Sequence, residues 1–223
     1  MGKTAVIAGS TGAIGRKLVP LLCAAPEIER LVILHHRPTG YGSYPKVEER
    51  IVDFAALAVV PVGGAADAAV FCCVGTTQKK AGSVAAFQKV DRDIPIALAQ
   101  LAAGIGAQVF VGVSSVGANV RAPSVYLRTK GEMEAGVAAA GVRSSYILRP
   151  SLLAGEREEY RLKEHIGNAV LGVVGPLMVG PLRKYRAVQT KTVAAAMLAC
   201  ARQAAPGPHV VESDQLQDIG GSL

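Results

Sequence analysis

The sequence predicts an α/β fold, a doubly wound parallel sheet with helices on both faces and a short C-terminal cap. Short β-type runs alternate along the chain with longer helical stretches, which is typical of parallel strands connected by helices. Several runs are continuous in Val, Ile, Leu, Ala and Phe, as expected for strands buried on both faces. A length of 223 residues suits one domain. We therefore expect a single domain over residues 1–223.

Six strands and three helices are predicted before Pro150. The strands are residues 4–8, 30–34, 50–52, 69–74, 108–114 and 144–148, and the helices are residues 14–24, about 91–103 and 125–140. Pro95 must lie in the first turn of the second helix, because proline tolerates only that part of a helix. Asp93 is therefore a candidate N-cap.

The pattern loosens after Pro150. Residues 151–185 contain charged residues, glycines and two prolines, and we expect an irregular excursion on the substrate side of the domain with a short helix over 163–171. A helix over 192–203 and a final strand over 209–212 follow. The sequence has no internal repeat. This last third is too short for an independent domain, so it is interpreted as a cap over the sheet's C-terminal edge.

The composition excludes several classes of protein. Half of the residues are hydrophobic and 18% are charged, which argues against disorder. The apolar stretches are too short to span a bilayer, so no membrane association is expected. The chain begins with Met-Gly-Lys and a strand-like run, without the apolar core and cleavage site of a secretory signal. We expect a cytoplasmic protein.

The charge pattern and the cysteines indicate which kinds of ligand the protein binds. The net charge is +7, but aromatic residues make up only 4% and the basic residues are scattered, so we do not expect nucleic-acid binding. A basic surface suits an anionic cofactor or a small-molecule substrate. The four cysteines include no Cys-x-x-Cys and no metal-ligand spacing, so neither a metal site nor a disulfide framework is expected.

A glycine turn follows the first predicted strand. The pyrophosphate of a dinucleotide needs close backbone approach and free N–H groups at a helix N-terminus. An ordinary turn rich in small residues is the alternative, whereas a nucleotide-triphosphate loop would need a Gly-Lys-Ser/Thr ending that is absent. We expect the dinucleotide to bind along residues Gly9, Ser10, Thr11, Gly12, Ala13, Ile14 and Gly15.

The end of the second predicted strand bears on the choice of nicotinamide cofactor. A carboxylate there would bond the ribose 2′-hydroxyl of NAD, while an arginine favours the 2′-phosphate of NADP. The chain has His35, His36 and Arg37 and no carboxylate. We expect NADP(H) in preference to NAD(H), with Arg37 the main phosphate partner and His36 assisting; solvated loop residues are the alternative. Asp53, after the third strand, is either an adenine contact or a helix N-cap.

Tyr126 and Lys130 lie four residues apart in the predicted helix 125–140, so their side chains share a face. An ammonium beside a phenol lowers the pKa of the phenol, because positive charge favours phenolate. Such a tyrosine can pass a proton to or from a substrate oxygen near neutral pH. With Ser114 and Ser115 upstream, the pair indicates carbonyl/alcohol redox chemistry on a nicotinamide cofactor. A buried tyrosine with a bonded hydroxyl is the alternative.

Together these features resemble the short-chain dehydrogenase/reductase superfamily, and within it the atypical Tat-interacting-protein-like branch. The similarity covers residues 4–150 closely and the remainder loosely. It is carried by Gly9, Gly12 and Gly15, by the run Phe-Cys-Cys-Val-Gly-Thr-Thr at 71–77, by Val-Asp-Arg-Asp at 90–93, by Ser114-Ser115-x-Gly117, by Tyr126-x-x-x-Lys130-Gly-Glu132, and by Arg149-Pro150.

The resemblance implies a Rossmann-like, NAD(P)-binding fold and roles for the catalytic side chains. Tyr126 would be the general acid that protonates a carbonyl oxygen as hydride arrives from the nicotinamide. Lys130 would lower the pKa of the tyrosine and hold the nicotinamide ribose. Ser115 would hydrogen-bond the substrate oxygen, with Ser114 as the alternative.

The resemblance also assigns backbone near the cofactor. Gly75 and Thr76 would line the cofactor after the fourth strand, and Arg149 with Pro150 would start the loop beside the nicotinamide. Dimers formed through helices are common in the superfamily, so a homodimer is compatible with the resemblance.

Two departures from classical members bear on function. The interval from Ser115 to Tyr126 is 11 residues, a little shorter than usual, and Cys-Cys-Val-Gly at 72–75 replaces the classical Asn-Asn-Ala-Gly element. The leading hypothesis is an NADP(H)-dependent oxidoreductase acting on a small carbonyl, alcohol or nucleotide-sugar-like substrate. The alternative is a non-catalytic NADP(H)-binding sensor or interaction protein, as relatives in this branch are better regarded as regulators.

Overall fold

A seven-stranded, wholly parallel sheet forms the centre of the protein. The computed structural model describes residues 4–59, 62, 67–154 and 180–221. The strands run in the order β3-β2-β1-β4-β5-β6-β9 and pair in parallel throughout. They are β1 Thr4–Ala8, β2 Arg30–His35, β3 Val47–Ile51, β4 Ala69–Cys72, β5 Val109–Val113, β6 Ser144–Arg149 and β9 Gly207–Glu212, while β7 Leu153–Ala154 and β8 Val188–Gln189 form a separate two-stranded parallel pair.

Helices connect these strands. They are α1 Gly15–Ala24, α2 Gln78–Ala81, α3 Val84–Gln88, α4 Ile94–Gly104, α5 Val125–Ala139, α6 Thr190–Gln203 and α7 Ser213–Gly220, with short 3₁₀ turns at Tyr41–Ser43, Phe54–Val59 and Gly180–Tyr185. None of the helices in the described part of the chain is both long enough and apolar enough to cross a bilayer.

Each face of the sheet carries its own apolar core, which confirms the doubly wound α/β prediction. Because successive strand residues point to opposite faces, Ile7 of β1 lies in one core and Val6 in the other. The first core packs α1, α6 and α7 against the sheet through residues such as Leu18. The second packs α4 and α5 through residues such as Leu98 and Met133. Every predicted strand before Pro150 is present.

The last third of the chain is more than a cap over the sheet's edge. The predicted helix 192–203 is α6, whose buried residues include Val193, Ala196 and Met197 in the first core. The predicted final strand 209–212 begins at Gly207, and β9 joins the sheet beside β6. A further helix, α7, follows it. The expected short helix at 163–171 and most of the predicted excursion 151–185 lie outside the described residues.

Two predicted boundaries were wrong for identifiable reasons. The third strand was expected at 50–52 but occupies Val47–Ile51, because its Val-Glu-Glu-Arg-Ile sequence is that of a half-exposed edge strand rather than a buried run. Asp93 is not an N-cap, since its backbone is helical and its side chain makes no capping hydrogen bond. The chain instead enters α4 from a helical turn that starts at Lys89.

The turn Lys89–Asp93 is a π-helical turn joining α3 to α4, so residues 84–104 form one uninterrupted helical segment. The Ile94 amide donates to the carbonyl of Lys89, five residues back. Pro95 follows directly and has no N–H to continue the α-helical ladder to Asp91. A single π turn of this kind accommodates one extra residue within an α-helix, and such turns are frequent at functional sites.

The adjacent cysteines at the end of β4 point to opposite faces of the sheet, as predicted: Cys72 is the last residue of the strand and Cys73 follows it. Cys72 lies in the core of α4 and α5, while Cys73 packs against the other core with its thiol 3.8 Å from the sulfur of Met197. All four cysteines are free thiols. Burial raises the pKa of Cys72 to about 11.

Candidate active site

The carboxyl ends of β1, β2, β4, β5 and β6 meet at one edge of the sheet, because all of these strands are parallel. The predicted cofactor and catalytic residues follow these strand ends or lie on α5. In open parallel α/β sheets, ligands bind outside the carboxyl ends of the strands, where the strand order reverses. Here the order reverses between β1 and β4, directly beside the glycine turn.

The glycine turn has the tight geometry that its sequence predicts. Gly9 has φ of +85°, and a Cβ atom there would lie 2.5 Å from the carbonyl carbon of Cys73. A Cβ at Gly15 would lie 2.1 Å from the carbonyl oxygen of Gly9. The Gly12 amide donates to that same oxygen at 3.1 Å. Side chains are therefore excluded at two of the three glycines by backbone atoms, and α1 begins at the turn.

The other residues of the turn divide between the surface and the core. Thr11 and Ala13 are exposed, whereas the side chain of Ile14 is buried in the core beside α1. Ser10 is buried, and its carbonyl accepts a 3.4 Å hydrogen bond from the Tyr41 hydroxyl. The turn leads directly into α1, where the amides of Arg16 and Lys17 donate hydrogen bonds to the carbonyls of Gly12 and Ile14 at 3.0 and 2.9 Å.

A buried histidine holds the backbone just after β2 through a hydrogen bond. His35 lies in the interior, with its Nδ1 atom bonded to the Arg37 carbonyl, and the side chains of His36 and Arg37 are exposed. Within the described residues, no group of three or more His, Cys, Asp or Glu side chains is placed to hold a metal ion.

Glu49 of β3 fastens the loop that follows Arg37. It accepts hydrogen bonds from the Thr39 hydroxyl and from the Tyr41 amide, the latter at 3.0 Å. The Thr39 hydrogen bond, ahead of that from the Tyr41 amide, holds the pKa of Glu49 below its ordinary value. Sequence reasoning missed this carboxylate, because an edge-strand glutamate gives no local sign of its partner.

Asp53 makes a capping contact. Its Oδ1 accepts a 2.9 Å hydrogen bond from the Ala55 amide at the start of the 3₁₀ turn Phe54–Val59. This geometry is that of the N-cap alternative. The adenine contact stays a prediction.

Lys130 is joined to the loop after β4 through a carboxylate. Its Nζ lies 2.8 Å from Oδ1 of Asp91, and the two side chains are only 5% and 2% exposed. The other oxygen of Asp91 accepts a 2.8 Å hydrogen bond from the Thr76 amide. Gly75 lies against Asp91 as well, since a Cβ there would be 3.5 Å from Oδ1. The structure thus brings together three sequence-predicted residues around one that was not predicted.

Tyr126 lies in the first turn of α5, which Ser124 caps by accepting a 3.5 Å hydrogen bond from the Leu127 amide. Its side chain is 38% exposed, so it is not the buried tyrosine of the alternative interpretation. The ring stacks on that of Phe87 from α3, with centroids 5.9 Å apart. Phe87 is itself wholly buried, which gives the tyrosine a fixed support.

The two serines after β5 differ in environment. Ser114 is buried, and its hydroxyl has no hydrogen-bond partner among the described residues. Ser115 is half-buried, and its hydroxyl lies 3.4 Å from the Val116 carbonyl, a long and weak contact. Ser115 has the more accessible hydroxyl, and its role in holding a substrate oxygen stays a prediction.

Arg149, at the end of β6, is partly buried and joins three parts of the structure. Its guanidinium pairs with Glu134 of α5 at 2.6 Å and with Glu212 of β9 at 2.9 Å, and it donates to the Ala118 carbonyl at 3.3 Å. The hydrogen bond to Glu134 is the main reason that the pKa of Arg149 is raised. Arg149 thus fixes the position of α5 relative to the sheet, a function that its motif did not indicate.

Comparison with known sequences identifies the family. No family model matches the chain. The protein fmp52, mitochondrial, of Emericella nidulans is 32% identical over 186 residues, which cover 78% of this chain and 77% of that protein. The protein HTATIP2 of Rattus norvegicus is 30% identical over 172 residues, which cover 76% and 71%. The chain belongs to the FMP52/HTATIP2 family. The predicted resemblance to the Tat-interacting-protein-like branch is thereby confirmed.

Solved structures show the same fold in short-chain dehydrogenase/reductases. An oxidoreductase of that family from Burkholderia thailandensis has a TM-score of 0.69 at 19% identity, over 97% of this chain and 93% of its own. MoeE5 in complex with UDP-glucose and NAD has a TM-score of 0.67 at 15% identity, over 98% and 81%. This FMP52/HTATIP2 protein therefore has the Rossmann-like fold of proteins that bind a nicotinamide dinucleotide.

The comparisons also correct the expected cellular location. Several FMP52 relatives are named as mitochondrial proteins, which contradicts the prediction of a cytoplasmic protein. That prediction rested on the lack of a secretory signal and of a bilayer-length apolar run. Neither observation distinguishes the cytosol from a mitochondrion.

Proposed function

We propose that the protein is an NADP(H)-dependent oxidoreductase of the short-chain type, which transfers hydride between the nicotinamide and a small carbonyl or alcohol. The observation that carries the proposal is the Lys130 ammonium. It is buried in an ion pair at the carboxyl edge of the sheet, four residues after the accessible Tyr126. A buried charge is costly, and its presence one helical turn from a tyrosine supports a chemical use.

The residues at this edge fit a dinucleotide. At Gly9 and Gly15, backbone atoms fill the space where a Cβ atom would lie. The turn therefore packs tightly against the rest of the protein, and no side chain at these two positions separates its backbone from a ligand. The N-terminus of α1 follows this turn, and its helix dipole favours a pyrophosphate. When bound, the nicotinamide supplies the hydride. The Thr76 loop and Lys130 are the elements proposed to hold its ribose.

In this proposal Tyr126 donates a proton to the substrate oxygen in reduction and accepts it in oxidation. Its hydroxyl-bearing ring is accessible and supported by Phe87, so it can meet a substrate without first being released from the core. Lys130, one helical turn further along α5, is held in place by its ion pair with Asp91. Ser115 is proposed to orient the substrate oxygen through its half-buried hydroxyl.

The preference for NADP(H) is proposed from Arg37. Its side chain is exposed beyond β2, and the part of the chain from His35 to Arg37 contains no carboxylate that would select the 2′-hydroxyl of NAD. His36 lies exposed beside it and adds a second donor. The hydrogen bond between Nδ1 of the His35 ring and the Arg37 carbonyl fixes the path of this segment.

Calorimetric titration of the purified, cofactor-free protein with NADPH and with NADH tests the cofactor. We expect tighter binding of NADPH, and a loss of about tenfold or more in Arg37→Ala, because a charged contact to phosphate contributes about 1.5–3 kcal/mol. Arg143→Ala is the matched control, since Arg143 is exposed at the opposite, amino end of β6. Binding of neither nucleotide by the wild-type protein would refute the proposal.

Hydride transfer to a panel of small aldehydes, ketones and nucleotide sugars tests the chemistry. Tyr126→Phe is expected to lose about 100-fold or more in kcat while NADPH affinity stays unchanged, because only the proton donor is removed. Tyr44→Phe, a second exposed tyrosine, is the control.

A non-catalytic NADP(H)-binding sensor is the second candidate. The 38% exposure of Tyr126 favours it, because enzymes usually enclose the site of proton transfer. Tyr126→Phe separates the two candidates. Unchanged biological activity with retained cofactor binding would favour the sensor and exclude the oxidoreductase.

The names of the FMP52 relatives support a mitochondrial location as part of the proposal. Cell fractionation of the tagged full chain tests it, with recovery in the mitochondrial fraction expected. Recovery in the cytosol alone would contradict it.

A further inference from the structure

We propose that Asp91 is a positioning residue, which locks Lys130 to the cofactor loop after β4 so that the tyrosine/lysine helix and that loop are held as one unit. This inference rests on the proposed function and assigns a role to a residue outside the predicted catalytic set. Asp91 lies in the π-helical turn Lys89–Asp93, on neither α5 nor the loop that it joins.

Asp91 uses each carboxylate oxygen for a different element. Oδ1 is 2.8 Å from the Lys130 ammonium on α5, and Oδ2 accepts a 2.8 Å hydrogen bond from the Thr76 amide. The ammonium of Lys130 and the amide of Thr76 each hold one carboxylate oxygen, so the position of the carboxylate is fixed relative to both elements. Any shift of α5 away from the loop would have to break one of the two contacts.

The burial of this contact argues against a purely structural origin. A surface pair contributes little to stability, and burying a pair costs the hydration of both ions, so a packed apolar pair would hold α3 and α5 together equally well. Lys130 and Asp91 are nevertheless 5% and 2% exposed. The charge is retained at the carboxyl edge of the sheet, where a defined position of the ammonium would serve cofactor binding.

The π turn sets Asp91 at this point. Phe87 and Asp91 are four residues apart on the segment 84–93, and they contact Tyr126 and Lys130, which are four residues apart on α5. One helical segment therefore supports both members of the predicted catalytic pair. Arg92 of the same turn adds a 2.9 Å ion pair to Glu132 of α5, which strengthens the junction.

A double-substitution cycle on NADPH affinity tests the proposal. Asp91→Asn keeps an oxygen that can accept the Thr76 amide and removes the charge that holds Lys130. We expect it to weaken NADPH binding by about tenfold, and by less than about twofold when Lys130→Met is already present, because groups that act through one another are not additive. Equal losses in both backgrounds would overturn the proposal.

Asp93→Asn is the matched control. Asp93 lies two residues away from Asp91. Its side chain is half-exposed and forms an ion pair with its neighbour Arg92. We expect its NADPH affinity to stay within about twofold of the wild type, as for surface substitutions in general. If Asp91→Asn behaves like Asp93→Asn, Asp91 has no positioning role.

A second measurement uses the protein without cofactor. Hydrogen exchange of the Thr76 amide, followed by NMR on ¹⁵N-labelled protein, is expected to speed up in Asp91→Ala and to stay slow in Asp91→Asn, which retains an acceptor. Unchanged exchange in Asp91→Ala would overturn the anchoring of the loop. Should the wild type bind neither NADPH nor NADH, the proposed function fails, and this exchange measurement still decides whether Asp91 holds the loop.

Discussion

The two sides of the candidate site hold their charged side chains in different ways. On the side of α5, the charges are paired and buried, as in Lys130 with Asp91, or paired and partly buried, as in Arg149 with Glu134. On the side of β2, Arg37 is exposed, and the loop that follows it is fastened through Glu49 at the edge of the sheet. The side that carries Lys130 is thus tied into the folded interior, whereas the side that carries Arg37 is a surface loop. Substitutions on the first side should alter both stability and function, and those on the second should alter function alone.

The glycine turn lies between the two sides, and its substitution should have the largest effect. Gly15→Ala places a Cβ 2.1 Å from the Gly9 carbonyl oxygen, so the turn or α1 must move. We expect a loss of about 3 kcal/mol or more in the free energy of unfolding, together with loss of NADPH binding. Urea unfolding measures the first and calorimetry the second.

Gly104→Ala is the control for this prediction. A Cβ at Gly104, the last residue of α4, meets no atom within 4 Å. We expect a gain of about 0.5 kcal/mol from the lower entropy of the unfolded chain. Equal stabilities of the two variants would show that the close approach at Gly15 does not exist in solution.

Arg149→Met tests the buried side of the comparison. The substitution leaves Glu134 and Glu212 without their cation, and Glu134 is 12% exposed. We expect a loss of about 3 kcal/mol in the free energy of unfolding, because breaking a buried pair leaves an uncompensated charge.

Arg202→Met provides the surface counterpart. Arg202 pairs with Glu27 at 2.7 Å, but its side chain is 38% exposed. Its loss should cost no more than about 0.5 kcal/mol. If both arginines cost the same, burial does not distinguish the two kinds of ion pair in this protein.

The buried thiols should make the protein less stable in alkali. Burial raises the pKa of Cys72 and of Cys200 from 9.0 to about 11. Above pH 9 the unfolded chain loses thiol protons that the folded protein still binds, so the free energy of unfolding falls with rising pH. The stabilisation is complete below about pH 9 and is lost as pH approaches 11.

By pH 10 we expect each of these thiols to account for about 1 kcal/mol of that fall. Denaturant unfolding between pH 8 and 10 measures it, and Cys200→Ala should flatten the profile. An equally steep profile in the variant would show that Cys200 is not responsible.

The smallest effect on stability is expected at Arg37. Since the side chain is exposed, Arg37→Ala should leave the free energy of unfolding within about 0.5 kcal/mol of the wild type while NADPH affinity falls. Lys130→Met, in contrast, should lower both, because Asp91 is then buried without its partner. Thermal unfolding and calorimetry on the same samples measure the difference. A stability loss at Arg37 as large as at Lys130 would remove the distinction between the two sides.

Most of the fold could be predicted from the sequence, because strands buried on both faces of a parallel sheet consist of continuous apolar runs. The prediction was weaker where burial is partial, as in β3, whose glutamates and arginine resemble a loop. It missed α7 entirely, since this helix has only eight residues and follows β9 without an intervening loop. It also began the helix of segment 84–104 at about residue 91, because Pro95 resembles a helix start when the π turn before it is unknown.

The candidate site was predictable where residues close together in the sequence fix its geometry, either on one face of a helix or within a tight loop. The pair Tyr126 and Lys130 and the glycine turn are of this kind. Asp91 was not assigned a role, because its partner Lys130 lies 39 residues further along the chain and only the folded arrangement joins them. The signal that could have indicated it is the run Val-Asp-Arg-Asp at 90–93, which carries part of the family resemblance.

The π turn between α3 and α4 sets the rotation of Phe87 about the axis of this helical segment. A π turn holds one residue more than an α turn, so the turn at Lys89–Asp93 absorbs one residue of the chain without rotating the helix before it relative to α4. If the turn relaxed to a regular α-helix with no residue deleted, everything before it would rotate by about 100° relative to α4. Phe87 would leave the ring of Tyr126, although no catalytic residue had been replaced. The hydrogen-bond pattern of the turn Lys89–Asp93, as much as residue identity, is therefore a property to preserve in engineered variants.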